Sequence, residues 1–113
     1  MTRRVPVIGS GSIEKISRSL ESLFTHSILT NVIAEAGLGK HDPGTSVAKW
    51  RRIATVMSGQ QYKQQEGRPV LRMIMSAMQP DRHIDVARDA SICRDELNVV
   101  LSLAGLRVRE RMV

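Results

Sequence analysis

The stretch "AEAGLGKHDPGTSVAKWRR", residues 34–52, decides how this chain folds. Glycines beside a lysine, then hydroxyl residues and a basic segment, imitate a phosphate-binding loop. A Walker-type loop needs glycine at position 34 and a hydroxyl residue at 41, set between a strand and a helix. The chain has Ala34 and His41 there, and the preceding residues have helical period. The stretch therefore reads as punctuation between two helices. Gly37 supplies the left-handed residue past a helix end, and Leu38 folds back onto that end. Asp42-Pro43-Gly44 forms a turn, and Thr45 or Ser46 starts the next helix. Lys40 and Lys49 flank that start, where an anion could be held.

Outward from the loop, the same grammar recurs. "LNVVLSLAGL" (97–106) shares five of ten positions with "LTNVIAEAGL" (29–38), both ending in Ala-Gly-Leu. Independent use of one stop signal accounts for this better than a repeat, because no third copy exists. Gly105 closes the last helix as Gly37 closes an earlier one. Residues 1–11 read as a flexible tail, and Ser12 caps a helix with Ile13, Ile16, Leu20, Leu23 and Phe24 on one stripe. Thr25 marks a second start, followed by Ile28, Leu29, Val32, Ile33 and Ala36. Val47, Trp50, Ile53, Ala54 and Met57 turn inward on the next helix, which Gly59 loosens; "GQQYKQQEG" (59–67) then reads as a connection or frayed turn. Pro69 opens a helix with Val70, Leu71, Ile74, Met75 and Met78 inward, and Pro80 ends it. "DRHIDVARDA" (81–90) is ambiguous. The last helix, about 91–104, buries Ile92, Cys93, Leu97, Val100, Leu101 and Ala104. "LRVRERMV" (106–113) is the one candidate for extended backbone. The expectation is an all-α fold: a compact bundle of four to five helices in a single domain, residues 12–113, behind the tail 1–11.

With 113 residues the chain is long enough for one core. Seventeen Lys and Arg against eleven Asp and Glu give a net charge of +6, which favours acidic partners. Cys93 is the lone cysteine, so no internal disulfide forms; "MTRRVPVIGSGS" (1–12) lacks the apolar run of a signal peptide, so none is expected, and no apolar run of membrane-spanning length is present in the sequence. A cytoplasmic setting follows as the expectation.

Chemistry is sparse. His41-Asp42 and His83-x-Asp85 lack a third converging ligand, so no metal is expected. Cys93 sits on an apolar stripe as a small core residue. The carboxylates Asp81, Asp85, Asp89, Asp95 and Glu96 interleave with Arg82, Arg88 and Arg94 as a solvated ion-pair face. No nucleophile elbow is present, and neither an enzyme nor a cofactor is expected. The candidate site is the basic face Lys40, Lys49, Arg51, Arg52 and Arg72, with Arg51 and Arg52 outward. Trp50, Gly37, Gly105 and Asn98 serve as structural anchors, Asn98 sharing a helix face with Arg94. A helix-turn-helix fits poorly: the loop from Gly37 to Thr45 is too long, and base-reading Asn or Gln is missing from the front of the second helix.

The order of these features resembles the helical N-terminal domains of bacterial abortive-infection proteins of the AbiJ type. It rests on Leu29, Ile33, Gly37, Leu38, Gly44, Ser46, Lys49, Trp50, Arg52 and Ile53, then Leu71, Ile74, Pro80, Arg94, Leu97, Asn98, Leu101, Gly105 and Leu106. It spans about residues 20–110. The resemblance implies an antiviral-defence sensing or interaction module joined to an effector such as a HEPN-type RNase. The Arg-to-His spacing of a HEPN site is absent upstream of His26, His41 and His83. The expectation is a non-enzymatic module that docks a protein partner, or a C-terminal effector domain, through the basic face. The alternative is a small DNA- or RNA-binding regulator. Self-association stays open.

Overall fold

In the computed structural model, which describes residues 5–79 and 87–102, all regular secondary structure of the described residues is helical. The elements are α1 (Ser10–Glu21), α2 (His26–Glu35), a 3-10 turn (Gly39–His41), α3 (Lys49–Gln64), α4 (Arg68–Ala77) and α5 (Ala87–Leu101). Central in the packing is α3, which lies against α1, α2 and α4; α1 also packs on α5, and α2 on α4. One core joins Ile13, Ile16 and Leu20 to Leu29, Val32, Ile33, Leu38, Ile53, Val56 and Met57. Val70, Met73, Ile74, Cys93, Leu97 and Leu101 complete it. Each such side chain contributes about 1.5–3 kcal/mol of transfer free energy before ordering costs. Among the described residues, no helix is long and apolar enough to cross a membrane.

The Gly37 stop is built as expected. Gly37 has φ +78°, its N–H bonds Ala34 O, and Leu38 N–H reaches back to Ile33 O at 3.1 Å. These are the paired closing bonds of a Schellman end, and fully buried Leu38 seals it. Thr25 caps α2, its Oγ1 accepting from Ile28 N–H. Asp42 accepts from Gly44 N–H, with Gly44 at φ +87°, and so closes the turn.

Several expectations are corrected. Thr45 and Ser46 do not start α3; it begins at Lys49, with Ala48 at the cap position and no side-chain cap of its own. Its cap comes from another helix: Glu21, the last residue of α1, accepts from Trp50 N–H at 3.1 Å. A carboxylate there also meets the positive end of the helix dipole.

The polar run 59–67 is helix as far as Gln64, and left-handed Gln65 (φ 56°) ends it. Gly59 lies inside α3. A Cβ there would lie 2.8 Å from His41 Nδ1, so the glycine makes room for the ring of the 3-10 turn. Gln61 is buried because it serves the N-terminal segment.

That segment is no loose tail from Val5 onward. Ile8 N–H donates to Gln61 Oε1 and Ile8 O accepts from Gln61 Nε2, both at 2.8 Å. Val5 O accepts from Gly67 N–H at 3.0 Å, and Ile8 is buried. Residues 5–8 form a strap across the α3–α4 junction, and α1 starts at Ser10, before the expected Ser12 cap.

The stripes shift in places. Ile28, Met75 and Ile92 are exposed, not inward, while Met73 and Ala77 take the core side of α4. Met73 and Met75 are equally apolar, so composition alone could not choose between two adjacent stripes. α5 begins at Ala87, earlier than expected. The expectations for Pro80, for residues 81–86, and for Ala104, Gly105, Leu106 and the extended C-terminus lie outside the described residues.

Candidate docking face

The basic residues after the turn do not form one face. Arg52 points inward and is 1% exposed, which corrects the expectation that it faces out to a partner. Its Nε donates to Asp42 Oδ1 and its Nη2 to Asp42 Oδ2, each at 2.7 Å. Nη2 also donates to Thr30 Oγ1 at 2.6 Å, and Nη1 to His26 O at 3.0 Å and toward His26 Nδ1 at 3.3 Å. All five guanidinium donors thus have a partner. The arginine ties the Asp42–Gly44 turn to the first turn of α2, a clasp that orders the long loop.

The hydrogen bond from Arg52 holds the Asp42 carboxyl below its ordinary range, against the opposing effect of burial; the Gly44 N–H, the Arg52 charge and His26 act in the same direction as the hydrogen bond. Asp42 in turn raises Arg52. A carboxyl lowered on folding contributes stability above the unfolded aspartate range, near pH 4, and loses it as pH falls through the folded value. Urea midpoints measured from pH 7 down to acid should therefore fall. In Asp42→Asn the midpoint should start lower and fall less steeply. Parallel curves for the two proteins would show that the clasp carries none of the acid sensitivity.

Lys49 is also committed, its Nζ donating to Phe24 O at 2.8 Å in the α1–α2 junction. Arg72 is exposed, but its Nη2 donates to Gln64 Oε1 at 3.3 Å. Its Nη1 lies 3.8 Å from where a Cβ on Gly37 would sit, over the C-terminal end of α2. Cations are favoured at such ends. Lys40 is exposed on the 3-10 turn. Arg51 and the residue that meets Arg72, Gln64, are separated by about 20 Å along α3 at the usual rise.

What remains is a smaller group at the start of α3. Trp50 is half-buried, not a core anchor. The Arg18 guanidinium lies 4.1 Å from its ring centroid and that of exposed Arg51 5.2 Å. Such cation–π pairs fix the direction of both arginines while leaving donor edges free for carboxylates or phosphates. Arg18 also lies 3.8 Å from Glu14, an exposed pair of small worth.

Arg18 and Glu21 were invisible to sequence reading because the pairing of α1 with α3 carries no local signal. Asp42 was visible as a turn residue and as half of a His-Asp pair without a third ligand, but not as the partner of Arg52. Arg94 bonds Ser91 within its own helix at 3.5 Å, and Asn98 is half-buried on α5. Cys93 is buried beside Ser19 O, and burial pushes its thiol up to about 12, with Glu96 adding to the rise. It is a core residue. No family model, curated protein or solved structure matches the chain.

Proposed function

We propose that this chain is a non-enzymatic helical interaction module that docks an acidic protein partner on Arg18, Trp50 and Arg51. One observation carries the reading: a half-buried tryptophan holds two guanidiniums in place, whereas Arg52 and Lys49 are spent on the fold. Trp and Arg are the residue types that dominate binding energy at protein interfaces. The abortive-infection resemblance supports the same class of role, a sensing module that passes a signal to an effector. Several residues of that resemblance, Gly37, Leu38, Gly44, Arg52 and Ile53, belong to the helix stop, the turn, the clasp and the core, so they speak for a shared fold more than a shared surface.

The net charge of +6 favours a second reading, nucleic-acid binding. Titrations with polyglutamate, duplex DNA and single-stranded RNA at about 50 and about 200 mM salt separate the two. The docking reading expects polyglutamate to bind, and the Arg18→Glu/Arg51→Glu variant to lose it roughly tenfold or more with an unchanged urea midpoint. Tighter binding of DNA or RNA than of polyglutamate, with a steep salt slope, would favour the nucleic-acid reading.

A further inference from the structure

Residues 5–8 are held as a ligand is held, through their backbone and one side chain. The buried amide of Gln61 takes the N–H and the carbonyl of Ile8 together, the pairing a neighbouring β-strand would offer. Gly67 N–H takes the carbonyl of Val5. Pro6, between these ties, has no N–H to satisfy. Pro6 and Val7 are exposed, and of the four residues Ile8 alone joins the core cluster.

Gly67 marks the seat. Its backbone, φ −88° and ψ 0°, is a turn conformation open to non-glycine residues, so its own torsions do not call for glycine. The missing Cβ makes room for the Pro6 carbonyl and Val5 that rest there. The segment joins α1 through Gly9, which has open space where a Cβ would stand. No side chain caps α1, and its bond from Ile13 N–H to Gly9 O survives a turn about the Gly9 N–Cα bond. The ties of the strap can therefore break without breaking those of a helix.

Independently of the docking reading at Trp50, we propose that the seat on Gln61 and Gly67 is a peptide-binding site that residues 5–8 occupy as an intramolecular ligand. The strap opens about Gly9 with the helices intact. The seat then takes an extended apolar segment with an aliphatic side chain at the place of Ile8. Gln61 reads backbone only, so that side chain and the passage over Gly67 set the specificity. One buried aliphatic side chain and three hydrogen bonds favour the closed strap on the order of 100-fold. Closure in cis has an effective concentration of millimolar order, so the same segment in trans has a Kd on the order of 10–100 µM.

The probe is the blocked, uncharged peptide acetyl-VPVIGS-amide, the sequence of residues 5–10. Full-length Ile8→Asp keeps the seat and empties it, since a lone carboxylate does not enter the core. At about ten times its Kd, the peptide should raise the folding equilibrium constant of this variant about tenfold, read as a higher urea midpoint. The wild type should bind it about 100-fold more weakly, because its seat is closed. Ile8→Asp/Gly67→Ala should not respond, nor should Ile8→Asp respond to the peptide with aspartate at its isoleucine. In the wild type, the amides of Ile8 and Gly67 should exchange hydrogen through one common opening, well ahead of amides inside α3 such as that of Val56. An Ile8→Asp midpoint that the peptide leaves unmoved, or moves equally in the double variant, overturns the proposal. So does exchange of Ile8 and Gly67 only together with Val56, which would make the strap part of one cooperative core. Each of these outcomes leaves the polyglutamate test of the docking reading untouched.

Discussion

Arg52→Met is expected to lower stability by about 3–4 kcal/mol, which moves the urea midpoint by roughly 2 M or the melting temperature by roughly 10–20 °C. Methionine keeps the bulk of the stem but removes all five donors. It strands Asp42, whose side chain is 15% exposed, with the Gly44 N–H as its remaining donor among the described residues. It also leaves Thr30 Oγ1 and the His26 carbonyl without the guanidinium. Removing one member of a buried pair costs several kcal/mol because the survivor stays desolvated, and the partial exposure of Asp42 places this case near the lower end. Arg52→Lys keeps the charge without the planar fork, so it should fall between. Adding Asp42→Asn to Arg52→Met should recover part of the loss, since the stranded charge is then gone. A Met variant within about 0.5 kcal/mol of the wild type would mean that the loop is ordered by its apolar contacts alone.

The second large effect lies at the other end of α3. A Cβ at Gly67 would run into the Pro6 carbonyl oxygen and crowd Val5 Cγ1 at 3.0 Å. The obstacle is backbone, which cannot swing away as a side-chain tip can. Gly67→Ala should therefore expel the strap at a cost of about 2–3 kcal/mol, mainly from exposing Ile8 and losing the backbone bonds. The alanine itself offsets up to about 1 kcal/mol by restricting the unfolded chain. Deleting residues 1–8 should cost a similar amount, and Gly67→Ala made in that shortened chain should be close to neutral. Additive losses would show that the strap is not what the alanine displaces.

Local grammar was legible in the sequence, and long-range partnership was not. The Gly37 stop, the Thr25 cap and the Asp42–Gly44 turn are each set by residues within a few positions, and each formed as its sequence implies. The start of α3 was misplaced because Glu21, far away in sequence, supplies its cap. Gln61 looked like a loop residue because its polar amide is satisfied by Ile8, more than fifty positions away. Arg52 looked like part of a surface cluster because consecutive basic residues carry no mark of which one points inward. The turn carboxylate Asp42, ten residues upstream, was the one available clue. The Trp50 group was half visible: Arg51 was on the page, and Arg18 required knowing that α1 crosses α3.

The central claim is that "KWRRI" (49–53) divides its labour, Arg52 holding the fold and Arg51 serving the surface with Trp50. The most direct measurement is one set of urea midpoints and polyglutamate titrations on the wild type, Arg52→Lys and Arg18→Glu/Arg51→Glu. The account predicts that Arg52→Lys lowers the midpoint while its folded form binds polyglutamate with wild-type affinity, and that the double glutamate variant keeps the midpoint and loses binding. Loss of binding in Arg52→Lys at a wild-type midpoint, or a double variant that binds as well as the wild type, would contradict it.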